Sequence, residues 1–114
     1  MDAETFDLFR TTVQRFVAEK LIPAEDAVEE ADAVPESIIQ QMREMGLFGL
    51  SVPEEYGGIG CTMAEEAAII REITRASVVF RSVIGTTVGI GSQGIVMDGT
   101  EEQKREWLPK FATG

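Results

Sequence analysis

The sequence predicts an all-α domain, a bundle of five to six helices with orthogonal packing. Apolar residues recur at three- and four-residue intervals in several separate segments. Two capping boxes, Thr62 with Glu65 and Thr100 with Gln103, mark helix starts. The long connection over residues 47–60 favours orthogonal over purely up-and-down packing. The 114 residues are enough for one domain and too few for two.

The first third of the chain predicts three helices. Residues 3–20 form an amphipathic helix, which we expect Pro23 to end. The alanine-rich segment at 24–33 predicts a second, largely solvated helix. Pro35 is suited to the first turn of a third helix, and Gly46 to its carboxyl-terminal cap.

The next segment, Leu47 to Gly60, breaks helical periodicity because it contains Pro53 and four glycines. It is nevertheless apolar, which predicts a loop anchored in the core rather than a solvated one. The anchoring side chains are expected to be Leu47, Phe48, Leu50 and Val52.

The second half predicts three more helices. The fourth begins after Thr62, with an apolar face formed by Met63, Ala67, Ile70 and Ile73. Ser77 caps the fifth, which is glycine-rich; propensity alone favours a strand there, but a single strand without a partner leaves its backbone groups unsatisfied. The last begins after Thr100, and Pro109 is expected to kink or end it. Its predicted buried stripe consists of Trp107, Leu108 and Phe111.

The segment Val83 to Gly99 also matches two other patterns. Gly89, Gly91 and Gly94 spell the dinucleotide-binding pattern G-x-G-x-x-G, but no second strand follows to complete that fold. The overlapping run from Val78 to Met97 is about the length that spans a bilayer, yet polar residues and Arg81 interrupt it. A buried helix of a water-soluble domain fits better.

Composition excludes several classes of function. The formal net charge of -10, without a basic patch, argues against nucleic acid and anionic membrane surfaces as partners. The chain has no histidine and a single cysteine, Cys61, so we expect no metal site and no nucleophile–base pair. Nothing near Cys61 suggests an activated thiolate. The acidic N-terminus resembles neither a signal nor a transit peptide, which predicts a cytoplasmic protein without a membrane span.

Two longer motifs are far more specific than these short patterns. GLFGLSVPEEYGGIGCT at 46–62 and GTEEQKREWLPKFATG at 99–114 closely resemble the N-terminal helical domain of the acyl-CoA dehydrogenases, flavoproteins that oxidise the Cα–Cβ bond of a fatty acyl-CoA. The resemblance covers nearly the whole chain. It implies that residues 1–114 are the N-terminal α-domain, without the β-domain and C-terminal helical domain that follow in the family.

The resemblance also implies a cofactor, partners and a pathway. Family members bind FAD, use a glutamate base, act mostly in fatty-acid β-oxidation, pass electrons to an electron-transfer flavoprotein and usually form homotetramers. The base and most flavin contacts lie in the later domains, so this chain is expected to hold no catalytic residue. Alone, we expect it to be inactive, to retain no FAD and to self-associate through exposed apolar surface.

In the family, the glycine-rich helix lies beside the fatty acyl chain. The matching positions imply that Val83, Thr86, Thr87 and Ile90 line the substrate pocket, although plain core packing would also explain them. The glycines resemble those of the long-chain and very-long-chain branch, which suggests a medium-to-long acyl substrate. Related acyl-CoA oxidases and flavin monooxygenases share this architecture, and a stand-alone helical interaction module is a further alternative.

Overall fold

The computed structural model describes residues 1–114 and is all-α, with five continuous helices and no strand. Two of the five contain an internal π-helical segment, and two short 3-10 turns lie in the loop that precedes the fourth α-helical segment. In chain order, the elements are α1 (Ala3–Phe16), the first π segment (Val17–Leu21), α2 (Ile22–Ala31), α3 (Glu36–Glu44), the 3-10 turns Leu47–Gly49 and Glu54–Tyr56, α4 (Met63–Ile73), α5 (Val78–Gly85), the second π segment (Thr86–Gly91), α6 (Ser92–Asp98) and α7 (Glu101–Ala112). The predicted all-α class is therefore confirmed.

The first helix continues through Pro23, so the prediction that this proline ends it is wrong. The Ile22 N–H donates to the Val17 carbonyl five residues back, which places a π turn directly before the proline. Proline lacks an N–H, and its ring meets the carbonyl four residues back in a regular α-helix. The wider π turn relieves that conflict, and α2 then runs on to Ala31.

The loop between α3 and α4 is anchored as predicted. Gly46 ends α3 in the left-handed region at φ 79°. The four predicted anchors Leu47, Phe48, Leu50 and Val52 are all buried. Gly58 lies so close to Val52 that a Cβ there would overlap the Val52 carbonyl oxygen, which explains why a glycine occupies this position.

The buried face of α4 differs from the predicted one. Ile69, Glu72 and Ile73 face the core, whereas Met63 is 86% exposed and Ala67 is also exposed. Of the predicted face only Ile73 is fully buried. The reason is tertiary: α1 packs along α4, and Arg10 of α1 pairs with Glu72.

In α7 the predicted stripe is only partly correct. Leu108 is buried and Phe111 is half-buried, but Trp107 is 44% exposed, with the Lys110 ammonium 4.8 Å from its ring centroid. The helix runs three residues past Pro109 to Ala112, so this proline does not end it. Pro109 has no N–H to donate to the carbonyl four residues back, but its own carbonyl accepts the Thr113 N–H, so the last turn still forms.

The core is thin. Its larger part joins α1 to α5 and contains 16 buried residues, and a smaller cluster joins Val52 and Tyr56 to Leu108 and Ala112 of α7. The shortest dimension of the chain is 19 Å, about two helix diameters. A layer this thin covers each helix on few sides, so helix faces remain open to the surroundings.

Candidate functional site: the open face of the glycine-rich helix

The glycine-rich helix, residues 78–98, comprises α5, the second π segment and α6, and its burial repeats every four residues. Its buried line is Phe80, Ile84, Val88 and Ser92. On a uniform α-helix, four residues rotate about 40° more than one full turn around the helix axis. Three such steps would place Ser92 about 120° around the axis from Phe80. The second π segment takes up this drift because its turns are wider. One line of side chains thus faces the core along the whole helix.

The same repeat produces an exposed line and a half-buried line. The exposed line consists of Val78, Ser82, Thr86, Ile90 and Gly94. Beside it runs the half-buried line of Val79, Val83, Thr87, Gly91 and Ile95. We call these two lines together the open face.

All four residues implied as pocket residues lie on the open face. Thr86 and Ile90 are on the exposed line, and Ile90 is 83% exposed. Thr87 is half-buried, and so is Val83, which packs against the main core cluster. Core packing therefore explains why Val83, which is half-buried, is apolar. It does not explain why an apolar residue stands at the exposed position of Ile90.

The four glycines of this helix fall into two groups. A Cβ at Gly85 would lie 2.8 Å from Arg81 Nη1, and one at Gly91 would lie 3.0 Å from the Thr86 carbonyl oxygen, so these two glycines relieve crowding. A Cβ at Gly89 or Gly94 would meet no atom within 4 Å. Nothing within the chain requires these two glycines, and they leave free volume on the outer side of the helix.

The G-x-G-x-x-G pattern lies wholly within this helix. Phosphate binding by that pattern needs a strand, a tight glycine turn and a helix N-terminus whose N–H groups are free. Here Gly89 and Gly91 lie in the second π segment and Gly94 in α6. These residues do not fit the pyrophosphate of FAD, and the dinucleotide interpretation is excluded by the geometry.

Residues of the 46–62 motif hold the glycine-rich helix in place. The Ser51 hydroxyl donates to the Val88 carbonyl at 2.7 Å, and the Ser92 hydroxyl reaches the same oxygen at 3.2 Å. On the other side of this loop, a Cβ at Gly49 would lie 3.1 Å from the Ala112 Cα, so the loop passes directly over α7. The two motifs that carry the family resemblance thus form one support beneath the helix.

The open face carries little charge. Of residues 78–98 only Arg81 and Asp98 are charged, whereas charged residues make up 26% of the chain. Near its end an open cavity of about 270 Å³ lies between α6 and α7, and Asp98 and Gln103 line it together with Gly94, Ile95, Gly99 and Trp107. The uncharged surface around Ile90 suits an apolar ligand or an apolar protein surface.

Cys61 and Tyr56 are both unsuited to chemistry at neutral pH. Burial, reinforced by the Glu65 and Glu66 carboxylates, raises the pKa of the Cys61 thiol to about 11. The Tyr56 hydroxyl donates to Glu101 Oε2 at 2.8 Å, and this hydrogen bond raises the pKa of Tyr56. The contact ties the second 3-10 turn to the start of α7. No group of histidine, cysteine and acidic side chains is arranged to hold a metal ion.

Three features of this site were not predicted from the sequence: the second π segment, the contact between Ser51 and Val88, and the exposure of Trp107. The four-residue spacing of Phe80, Ile84 and Val88 is the signal that could have indicated the π segment. The other two depend on how distant segments pack. No helix of the structure is both long and apolar enough to cross a bilayer.

The fold and the site thus define a thin all-α domain in which one helix presents an uncharged face lined by glycines. The family model for the acyl-CoA dehydrogenase N-terminal domain matches residues 3–114. The chain therefore belongs to the acyl-CoA dehydrogenase family and corresponds to the N-terminal domain of its members.

Individual relatives agree with this assignment. The chain is 33% identical over 107 residues to an acyl-CoA dehydrogenase of Bacillus subtilis (strain 168), covering 94% of this chain and 28% of the relative. It is 35% identical over 112 residues to the (2S)-methylsuccinyl-CoA dehydrogenase of Cereibacter sphaeroides, covering 97% and 20%. The crystal structure of an acyl-CoA dehydrogenase complexed with FAD from Bacillus anthracis superposes with a TM-score of 0.82 at 34% identity, covering 98% of this chain and 19% of that one. The chain thus spans less than a third of the length of the relatives it matches.

Proposed function

We propose that this chain serves as the N-terminal domain of an FAD-dependent acyl-CoA dehydrogenase that oxidises the Cα–Cβ bond of a fatty acyl-CoA, and that its open face forms one wall of the acyl-chain pocket. The observation that carries the proposal is the open face itself. It is uncharged around Ile90, and two glycines beside it leave space that no part of the chain fills.

An alkyl chain fits this surface for a physical reason. Burying a methylene against apolar groups contributes about 0.8 kcal/mol, whereas burying an unpaired charge is strongly unfavourable. Ile90 and the methyl groups of Thr86 and Thr87 supply apolar contact, and Gly89 and Gly94 supply room. A medium-to-long straight acyl chain is the substrate class we propose.

The proposal assigns the chemistry to other parts of a longer polypeptide. The FAD, which accepts a hydride when bound, and the glutamate base that removes the α-proton belong to the later domains in the family. By the same resemblance we propose an electron-transfer flavoprotein as electron acceptor and a homotetramer as the assembly. The role of this chain is structural: it forms one wall of the pocket and excludes water from the alkyl chain.

The test is replacement of Ile90 by tryptophan in the flavin-containing enzyme that carries this chain. A bulky ring on the exposed line fills the space beside Gly89 and Gly94, so kcat/KM for a C16 acyl-CoA should fall by about tenfold or more relative to that for a C6 substrate. Thr87→Trp should shift the profile in the same direction. Steady-state kinetics with saturated acyl-CoAs of graded length measures both.

Met63→Trp is the matched control, because Met63 is about as exposed as Ile90 but begins α4 and is not part of the glycine-rich helix. It should leave the chain-length profile unchanged. If Ile90→Trp and Thr87→Trp leave the profile as it is in the unmodified enzyme, the open face is not a wall of the pocket and the proposal is wrong.

A further inference from the structure

The contact between Ser51 and Val88 joins two segments that are 37 residues apart in sequence. At 2.7 Å it is the only side-chain hydrogen bond from the 46–62 loop to the glycine-rich helix. The Val88 carbonyl that accepts it lies in the middle of the second π segment, and the fully buried Ser92 donates to the same oxygen. A single backbone oxygen therefore receives two hydroxyl groups at the place where the helix departs from α geometry.

A π segment has an obvious competitor, the uninterrupted α-helix, which is the commoner form of backbone. Changing from one to the other shifts all following residues by about one position, a rotation of about 100° around the axis. In the α form, Ile90 and Gly94 would no longer lie in line with Ser82 and Thr86. The composition of the open face therefore depends on the π segment being retained.

We propose that Ser51 is a positioning residue: its hydroxyl holds the Val88 carbonyl so that the second π segment is retained, and this fixes which side chains line the acyl pocket. The inference rests on the proposed function of the open face. Ser51 reaches the substrate only through the helix, and it takes no part in the reaction itself.

The first test uses residues 1–114 and amide hydrogen exchange followed by mass spectrometry or NMR. Ser51→Ala should speed exchange across residues 88–93 by about fivefold, the factor expected from loss of one typical hydrogen bond. Ser51→Thr retains the hydroxyl and should restore slow exchange. Ser77→Ala is the matched control. It removes the serine that caps the N-terminal end of the same helix, where the Ser77 side chain accepts a hydrogen bond from the Val79 N–H.

The second test asks for an effect that mere loss of stability would not give. In the flavin-containing enzyme, Ser51→Ala should change KM for long acyl-CoAs by about threefold or more with kcat nearly unchanged, since only the pocket wall moves. Ser51→Thr should restore the original KM. Ser77→Ala should leave the KM profile unchanged, although it weakens the same helix.

The positioning role of Ser51 and the pocket-wall proposal would be contradicted by different results. Unchanged exchange at residues 88–93 in Ser51→Ala overturns the positioning role, whatever the kinetics show. Faster exchange together with an unchanged KM profile also overturns it, because the Ser51–Val88 hydrogen bond would then stabilise the helix without affecting the pocket. If exchange rises but Ile90→Trp has no effect on chain length, the pocket-wall proposal is what fails.

Discussion

Replacement of Glu72 by glutamine would test the buried ion pair that joins α1 to α4. The Glu72 side chain is 1% exposed, and its Oε1 accepts hydrogen bonds from Arg10 Nε at 3.3 Å and Nη2 at 3.1 Å. Arg75 Nε lies 3.3 Å from Oε2, which has no hydrogen-bond partner. Burial works to raise the pKa of Glu72, but the side chains of Arg10 and Gln14 and the charge of Arg75 outweigh it and lower that pKa. The folded state therefore favours the carboxylate.

The size of the effect follows from these contacts. Hydrogen bonds to a charged group contribute about 1.5–3 kcal/mol. Both arginines are partly exposed and regain water when the carboxylate becomes an amide, so the loss belongs in the lower part of that range, about 2 kcal/mol. For 114 residues, an unfolding entropy of about 2.1 cal/mol/K per residue converts this into a decrease in Tm of about 8 °C.

Thermal unfolding of the 114-residue chain, followed by circular dichroism at pH 7, measures this decrease. Because the folded-state pKa of Glu72 is lowered, its contribution is complete above the unfolded value of 4.5 and is lost as the pH falls through the folded value. The difference between the unmodified chain and Glu72→Gln should therefore shrink as the pH is lowered below 4.5. Glu30→Gln, at an exposed position on α2, should change Tm by less than about 2 °C. Equal stability at pH 7, or a difference that persists unchanged at pH 2, would refute the reasoning.

Three further predictions concern the loop, the cysteine and the flavin. Gly58→Ala should lower the free energy of unfolding by about 3 kcal/mol in urea titrations, because the new methyl group overlaps Val52. Gly94→Ala, where a Cβ meets no other atom, should be neutral or stabilising by up to about 1 kcal/mol. Similar values for the two variants would contradict the structure. Since burial raises the pKa of Cys61 from 9.0 to about 11, the native thiol should react with iodoacetamide at pH 8 about 100-fold more slowly than after unfolding in urea, and equal rates would show that it is not buried as described. Residues 1–114 alone should neither retain FAD through gel filtration nor oxidise acyl-CoA; a stoichiometric yellow complex would count against the proposed division of roles.

Local signals predicted the helix starts well. Thr62 and Thr100 both form complete capping boxes in the structure, and Ser77 caps α5. Gly46 ends α3 with positive φ, as expected of a glycine at that position. These features depend on residues within one turn of each other, so the sequence contains all the information they need.

Signals from proline and from apolar spacing were less reliable. Pro23 and Pro109 both lie inside continuous helices, since a π turn accommodates the first and the second stands near a helix end. Met63 and Trp107 are apolar and exposed, because the packing of α1 on α4 and of the loop on α7 uses other faces of those helices. Which face of a helix is buried depends on its neighbours, and apolar periodicity alone does not name them.

The sequence by itself determined the all-α class, the caps and, through the motifs at 46–62 and 99–114, the family to which the chain belongs. It also indicated the segment that holds the candidate pocket residues. Only the tertiary structure decided that this segment contains a π turn, that the Ser51 hydroxyl donates to a carbonyl within it, and that Ile90 projects outward beside two glycines with free space around them. The reason is physical: the Ser51–Val88 hydrogen bond joins residues 37 positions apart, and which distant segments meet depends on how the helices pack, which local sequence does not encode.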